Sequence, residues 1–149
     1  MTRAPLLTGL AVAMALASAP GGAADLDGAA LFETHCAACH GAGGVGTPGL
    51  APPLDRPDFW QALGENAPEY IGGVVTKGLN MRIAVRGEQY MGTMMPPVAG
   101  ASDEELAAVA TWVLDTLGGT QLAVAPADIA AARDTMTMGA LKNLRPETQ

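Results

Sequence analysis

Aromatic and basic residues are scarce in this chain. Its 149 residues include two each of Phe, Tyr and Trp, and 8 Lys and Arg against 15 Asp and Glu. A net charge of −7 offers no basic face for a polyanionic backbone, which excludes nucleic-acid binding by electrostatics. No basic amphipathic stretch is present to hold an anionic lipid surface. Internal repeats and runs of like charge are missing as well. No apolar run approaches the roughly 20 residues that a membrane-spanning helix needs. Cysteine occurs only twice, at Cys36 and Cys39, and histidine only at His35 and His40.

The longest uncharged apolar run, Leu6 to Ala17, follows Met1-Thr2-Arg3. A charged start and a short apolar centre form an export signal rather than an anchor. Ala17-Ser18-Ala19 fits the small-residue cleavage rule, but Pro20 would follow the cut. Gly22-Ala23-Ala24 fits too and precedes Asp25, so cleavage is expected after Ala24. Removing residues 1–24 leaves 125 of the 149, the size of one small domain, and losing Arg3 takes the charge from −7 to −8. The expected address is the bacterial periplasm, with no stable membrane span after cleavage.

What is present is Cys36-Ala37-Ala38-Cys39-His40. Two cysteines three apart can each form a thioether to a haem vinyl group, and the adjoining histidine then reaches the iron. That is the c-type haem attachment pattern. A thiol–disulfide pair would call for a βαβ context. Zinc would need further Cys or His ligands, and only His35 is left over, its place before Cys36 pointing it away from a shared site. With so few aromatics, covalent haem would supply apolar mass that the side chains do not.

Around the motif the chain reads as helices. Asp27 caps a helix from Gly28 to Thr34, with Gly28, Phe32, Cys36 and His40 at i, i+4 spacing along one stripe. Gly28 costs about 1 kcal/mol inside a helix relative to alanine, so close approach by another helix is expected there. The Gly-rich stretch 41–49 is a loop leading to Ala51-Pro52-Pro53-Leu54, where the Pro52 carbonyl is the expected acceptor for the second ring nitrogen of His40. Pro57–Leu63 begins a short helix with Asp55 as its cap. Asn66 caps Ala67–Lys77, which Gly78 ends. Trp60 and Tyr70 read as core aromatics that could also reach a haem propionate. Met81–Gly87 is extended with a turn at Gly87. Arg56, Arg82 and Arg86 are candidate propionate partners, with solvated surface charge as the plainer reading of each. Ser102-Asp103-Glu104-Glu105 is a capping box for a helix with Leu106, Val109, Val113 and Leu117 on one face, stopped by Gly118-Gly119. That helix is the expected partner of Gly28 and Phe32. Beyond it, 126–133 and 138–144 read as short helices without visible chemistry, expected to be dispensable for the haem fold.

The methionines after the motif include Met81, Met91, Met94, Met95 and Met138. Most methionines fill gaps. Met94 and Met95 differ in standing in an irregular segment stiffened by Pro96-Pro97, where a rigid backbone can present a soft thioether at little entropic cost.

Together, the stretch from Asp27 to Gly119 resembles the class I, cytochrome c-type monohaem domains of bacterial periplasmic proteins. The resemblance rests on the Gly28…Phe32 helix, Cys36-Ala37-Ala38-Cys39-His40, the Pro-Pro-Leu segment, Val85-Arg86-Gly87-Glu88-Gln89-Tyr90 and Met95-Pro96-Pro97 ahead of the Asp103-Glu104-Glu105 cap. It implies an all-α, cytochrome c-like fold with helices packed around one covalent haem c. It also implies thioethers from Cys36 and Cys39, His40 as proximal iron ligand and Met95 as distal ligand. Met95 directly precedes proline and has the family's distance to Asp103, whereas Met94 has the more usual distance from Tyr90; the reading favours Met95. The domain plan is then a signal peptide (1–24), a cytochrome c domain (25–119) and a C-terminal extension (120–149).

The implied function is single-electron carriage in the periplasm, from a dehydrogenase or quinol-oxidising complex to an oxidase or another cytochrome, with no catalysis by the chain itself. An alternative is the haem subunit of a periplasmic dehydrogenase, docked through its tail. A peroxidase would need an open iron and usually a second haem. A haem sensor would need an output domain.

Overall fold

A computed structural model of the chain describes residues 26–92 and 94–146. The expected signal segment and its cleavage site lie outside the described residues. Helices dominate: α1 (Gly28–His35), α2 (Ala37–His40), α3 (Pro57–Leu63), α4 (Ala67–Lys77), α5 (Asp103–Trp112), α6 (Pro126–Thr135) and α7 (Met138–Leu144). A hairpin of β1 (Ile83–Val85) and β2 (Glu88–Tyr90) lies between α4 and α5. Among the described residues no helix is long and apolar enough to cross a membrane.

Local chemistry sets the helix ends. Asp27 accepts the Ala30 N–H at 3.1 Å. Ser102 and Glu105 exchange the two bonds of the capping box, at 3.2 and 2.7 Å. Two expected caps differ. Asp55 does not cap α3, which starts on Arg56 and Pro57; its carboxylate instead pairs with Arg86 across the chain at 3.2 Å. Asn66 stands at the start of α4 without a capping bond, because a 3₁₀ turn over Gly64–Asn66 runs straight into the helix. The extended stretch before Gly87 acquires a partner strand. Arg86 and Gly87, at φ 51° and 82°, make the two-residue turn that matches the twist of a hairpin.

The helix that carries the motif does not run through it. It breaks at Cys36, whose φ of −125° separates α1 from α2. The stripe of Gly28, Phe32, Cys36 and His40 therefore bends, and a separate short turn carries His40 inward.

Helix α1 crosses α5 at Gly28, as expected. A Cβ at Gly28 would stand 2.5 Å from the Ala108 carbonyl oxygen and 2.8 Å from Cβ of Trp112. One turn on, Phe32 packs on Trp112 with ring centroids 4.9 Å apart. Since backbone cannot yield as a side-chain tip can, Gly28→Ala is expected to cost about 1–3 kcal/mol despite alanine's better helix propensity. Denaturant unfolding of the two proteins measures it; equal midpoints would mean that the helices can move apart freely.

The C-terminal extension is not an appendage, contrary to the reading that the core closes at Gly119. Ile129 and Leu141 are 0% exposed and belong to the same apolar cluster as Phe32, Leu106 and Leu114. The physical reason lies in α4. A Cβ at Gly73 would meet Met136 at 2.7 Å and Leu141 at 2.8 Å, so the bare backbone of Gly72-Gly73 lets the α6–α7 corner settle against the helix. Thr111 of α5 accepts the Val124 N–H at 2.9 Å, and Arg133 of α6 pairs with Asp103 at 2.6 Å.

Candidate functional site

The helices and the hairpin enclose a cavity of about 600 Å³, within the range of about 300–1,000 Å³ typical of small-molecule sites. Its walls are largely apolar, from Phe32, Trp60, Ile71, Val75, Ile83 and Val113 among others. The motif forms one side. Cys36 is half-buried, Cys39 is exposed, and both line the cavity with His40. Burial, reinforced by Cys39 nearby, pushes the Cys36 thiol up to about 11, so at neutral pH it is an uncharged thiol. Among the described residues no group of three or more His, Cys, Asp or Glu could hold a bare metal ion.

His40 is buried, and its Nδ1 lies 2.9 Å from the Pro52 carbonyl oxygen. A carbonyl can only accept, so Nδ1 must carry the proton and Nε2 keeps its lone pair. Burial lowers the His40 pKa and the Pro52 bond partly offsets it; the ring is therefore neutral at pH 7, the state a metal ligand needs. The loop that presents Pro52 is pinned by Glu88. One carboxylate oxygen of Glu88 accepts the Gly49 N–H at 2.6 Å and the other accepts the Tyr90 hydroxyl at 3.0 Å.

Met94 and Met95 both line the cavity. Met94 is 62% exposed, while Met95 is half-buried. The Met95 backbone is tied on both sides to Leu79, with N–H to carbonyl distances of 2.9 and 3.1 Å. Gly78, at φ 75°, lies so close against the Met95 carbonyl that any side chain there would collide with it.

Two other expectations change. His35, the last residue of α1, also lines the cavity. Trp60 spends its indole N–H on the Leu54 carbonyl at 2.8 Å, leaving no donor for a propionate. Arg56 is no surface charge: it is 3% exposed and lines the cavity. Arg82 and Arg86 are exposed. Arg145, at the end of α7, also lines the cavity. Nothing local in the sequence marks it, since only packing of the extension brings it there.

The donor set and the cavity fit a covalently held haem. Two sulfurs and a neutral imidazole share one end of an apolar space, and Nε of buried Arg56 has no hydrogen-bond partner among the described residues. Comparison with known proteins leads to the same place. The family pattern described as cytochrome c matches residues 26–117. A cytochrome c-552 of Thermus thermophilus is 36% identical over 113 residues, covering 76% of this chain and 68% of that protein. Another cytochrome c-552 of Thermus thermophilus is 37% identical over 92 residues, covering 62% and 69%. The chain therefore belongs to the cytochrome c family, as a class I, monohaem c-type cytochrome carrying iron in one covalently bound haem c.

Proposed function

We propose that this protein is a periplasmic single-electron carrier whose haem is held by thioethers to Cys36 and Cys39, with iron between His40 and Met95. The observation that carries the reading is the Nδ1–H of His40 donating to Pro52 at 2.9 Å. That bond orients the ring, sets its tautomer and raises the basicity of the other nitrogen. Bound haem supplies the one-electron chemistry of its iron, and a thioether opposite imidazole raises the potential into a range suited to carriage.

The chain's own residues hold, orient and exclude. Phe32, Ile71 and Val113 keep water from the cavity wall, which strengthens every charge interaction inside it. The Leu79–Met95 pairing and Pro96-Pro97 limit how far the Met95 side chain can stray. Were His40 and Met95 both to hold the iron, peroxide would find no open position on it, which would favour carriage over catalysis. Electrons would come from a dehydrogenase or quinol-oxidising complex and leave to an oxidase or another cytochrome. In the docked-subunit alternative only the outer faces of α6 and α7 would be left for a partner, since Ile129, Ala132 and Leu141 are already used in the chain's own core.

Two measurements on the purified protein test this. Acid–acetone treatment should leave the colour on the chain, and its denatured mass should exceed the polypeptide by one haem. The ferric spectrum should show the weak red band of an iron–thioether bond, and ferrous protein should bind carbon monoxide poorly. Colour lost to the solvent would end the thioether assignment. A high-spin spectrum with ready carbon monoxide binding would turn the reading toward an open-site enzyme or sensor.

A further inference from the structure

We propose that Arg56 and Arg145 together form the receptor for a carboxylate of the haem, making the C-terminal segment part of the cofactor site. The inference rests on haem occupying the cavity and goes beyond it, because Arg145 lies well past the stretch that matches the family.

Both guanidiniums stack on one ring, Phe59, with carbon-to-centroid distances of 4.9 Å for Arg56 and 4.7 Å for Arg145. Both line the same cavity. Arg145 also donates to the Tyr70 hydroxyl at 2.6 Å, which fixes the direction of its planar fork. Two cations held beside one aromatic ring in an apolar setting repel each other and pay for lost hydration. Among the described residues Arg56 has a single acid partner, Asp58, at 3.3 Å, and the Asp58 side chain is 57% exposed. The Nε of Arg56 is buried with no partner among the described residues. Among the described residues no carboxylate pairs with Arg145, the ion pairs there being Arg56–Asp58, Arg86–Asp55 and Arg133–Asp103.

An anion is what this arrangement lacks among the described residues, and a bound haem would bring two propionate carboxylates into the cavity. Guanidinium groups match a carboxylate in geometry as well as charge. The placement also explains why the extension is folded back so firmly. Ile129 and Leu141 anchor α6 and α7 in the core, and that anchoring delivers Arg145 to Phe59 and Tyr70.

The test uses full-length holoprotein with Arg145→Met, and reads the midpoint potential from pH 5 to 9 beside thermal stability. Removing a positive charge near the iron favours the ferric form, so the potential should fall at neutral pH. Ionisation of the carboxylate also favours ferric iron, so the potential drops as pH rises through its titration. Without Arg145 that drop should move up by about 1–3 pH units, the size of an arginine's effect on a neighbouring carboxyl. Arg145→Lys, which keeps the charge, should restore most of the wild-type profile. His35 and Tyr90 line the same cavity, and Asp58 faces Arg56, in all variants alike. Tyr70, which Arg145 touches, is held by burial above its ordinary range and so titrates outside the pH 5–9 window; losing Arg145 moves it further out. The difference between profiles is therefore the reading. An unchanged potential and profile with a lowered melting temperature would overturn the proposal and leave Arg145 a packing residue. Should Arg145→Met fail to fold, Arg145→Gln, which keeps a donor for Tyr70, is read by the same criteria. Failure of covalent attachment in the wild type would overturn the haem-site assignment itself, and is scored separately by acid–acetone extraction.

Discussion

A chain stopped at Thr120 is expected to lose its cooperative thermal transition, even where haem stays attached. Truncation removes Ile129 and Leu141, both 0% exposed, together with Val124, Ala132 and Met136, which are 3%, 6% and 7% exposed. Replacing one such aliphatic core residue with alanine costs about 2–5 kcal/mol. Deleting both helices also exposes the glycine face of α4 and frees Thr111 from Val124. The sum rivals the whole stability of a small domain, about 5–15 kcal/mol. Near-ultraviolet circular dichroism and a melting curve of the truncated holoprotein check this. Ile129→Ala and Leu141→Ala, each expected to lose about 2–4 kcal/mol, serve as graded versions that still fold. A truncated protein melting within about 4 °C of the full chain would show that the first 119 residues close their own core.

Replacing Met95 with alanine is expected to turn the ferric iron high-spin or water-ligated and to lower the midpoint potential. The direction follows from the thioether's preference for ferrous iron, which the variant gives up. Met94→Ala should leave the spectrum nearly intact and stability within about 0.5 kcal/mol, as for other solvent-facing changes; the Met94 side chain is 62% exposed. The backbone supports the contrast, since Met95 is bonded both ways to Leu79. Optical spectra and potentiometry of the two variants decide between the neighbours. Reversed outcomes would move the ligand to Met94 and leave the carrier reading standing. Two unaltered spectra would remove methionine from the iron and favour an open-site function.

The expectations that held came from short-range chemistry. Ser102 with Glu105, Asp27 ahead of Gly28, and Gly78 after Lys77 each act through neighbours within a few residues. Such signals survive in a linear string. Gly28 was legible for a related reason: a glycine in a helix needs a cause, and crossing helices are the usual one. The proximity of His40 to Pro52 came through because the intervening glycine-rich loop is short and must turn back.

What failed depended on partners far away in the chain. Asp55 resembled a cap but pairs with Arg86, 31 residues on. Arg56 resembled a surface charge, and its burial comes from elements folding over it. The extension resembled an addition because it carries no motif and follows all the candidate ligands, yet Ile129 and Leu141 are enough once Gly72-Gly73 presents a bare face to them. By itself the sequence determined the helical class and the cytochrome c family with its covalent haem, since each is written in residue type and local spacing. Only the tertiary structure decided that the last helices complete the core and that Arg145 stands beside Phe59 in the cavity. Those facts arise from burial and charge pairing between segments up to 75 residues apart, as in the Arg145–Tyr70 bond, and no local pattern encodes a contact of that range.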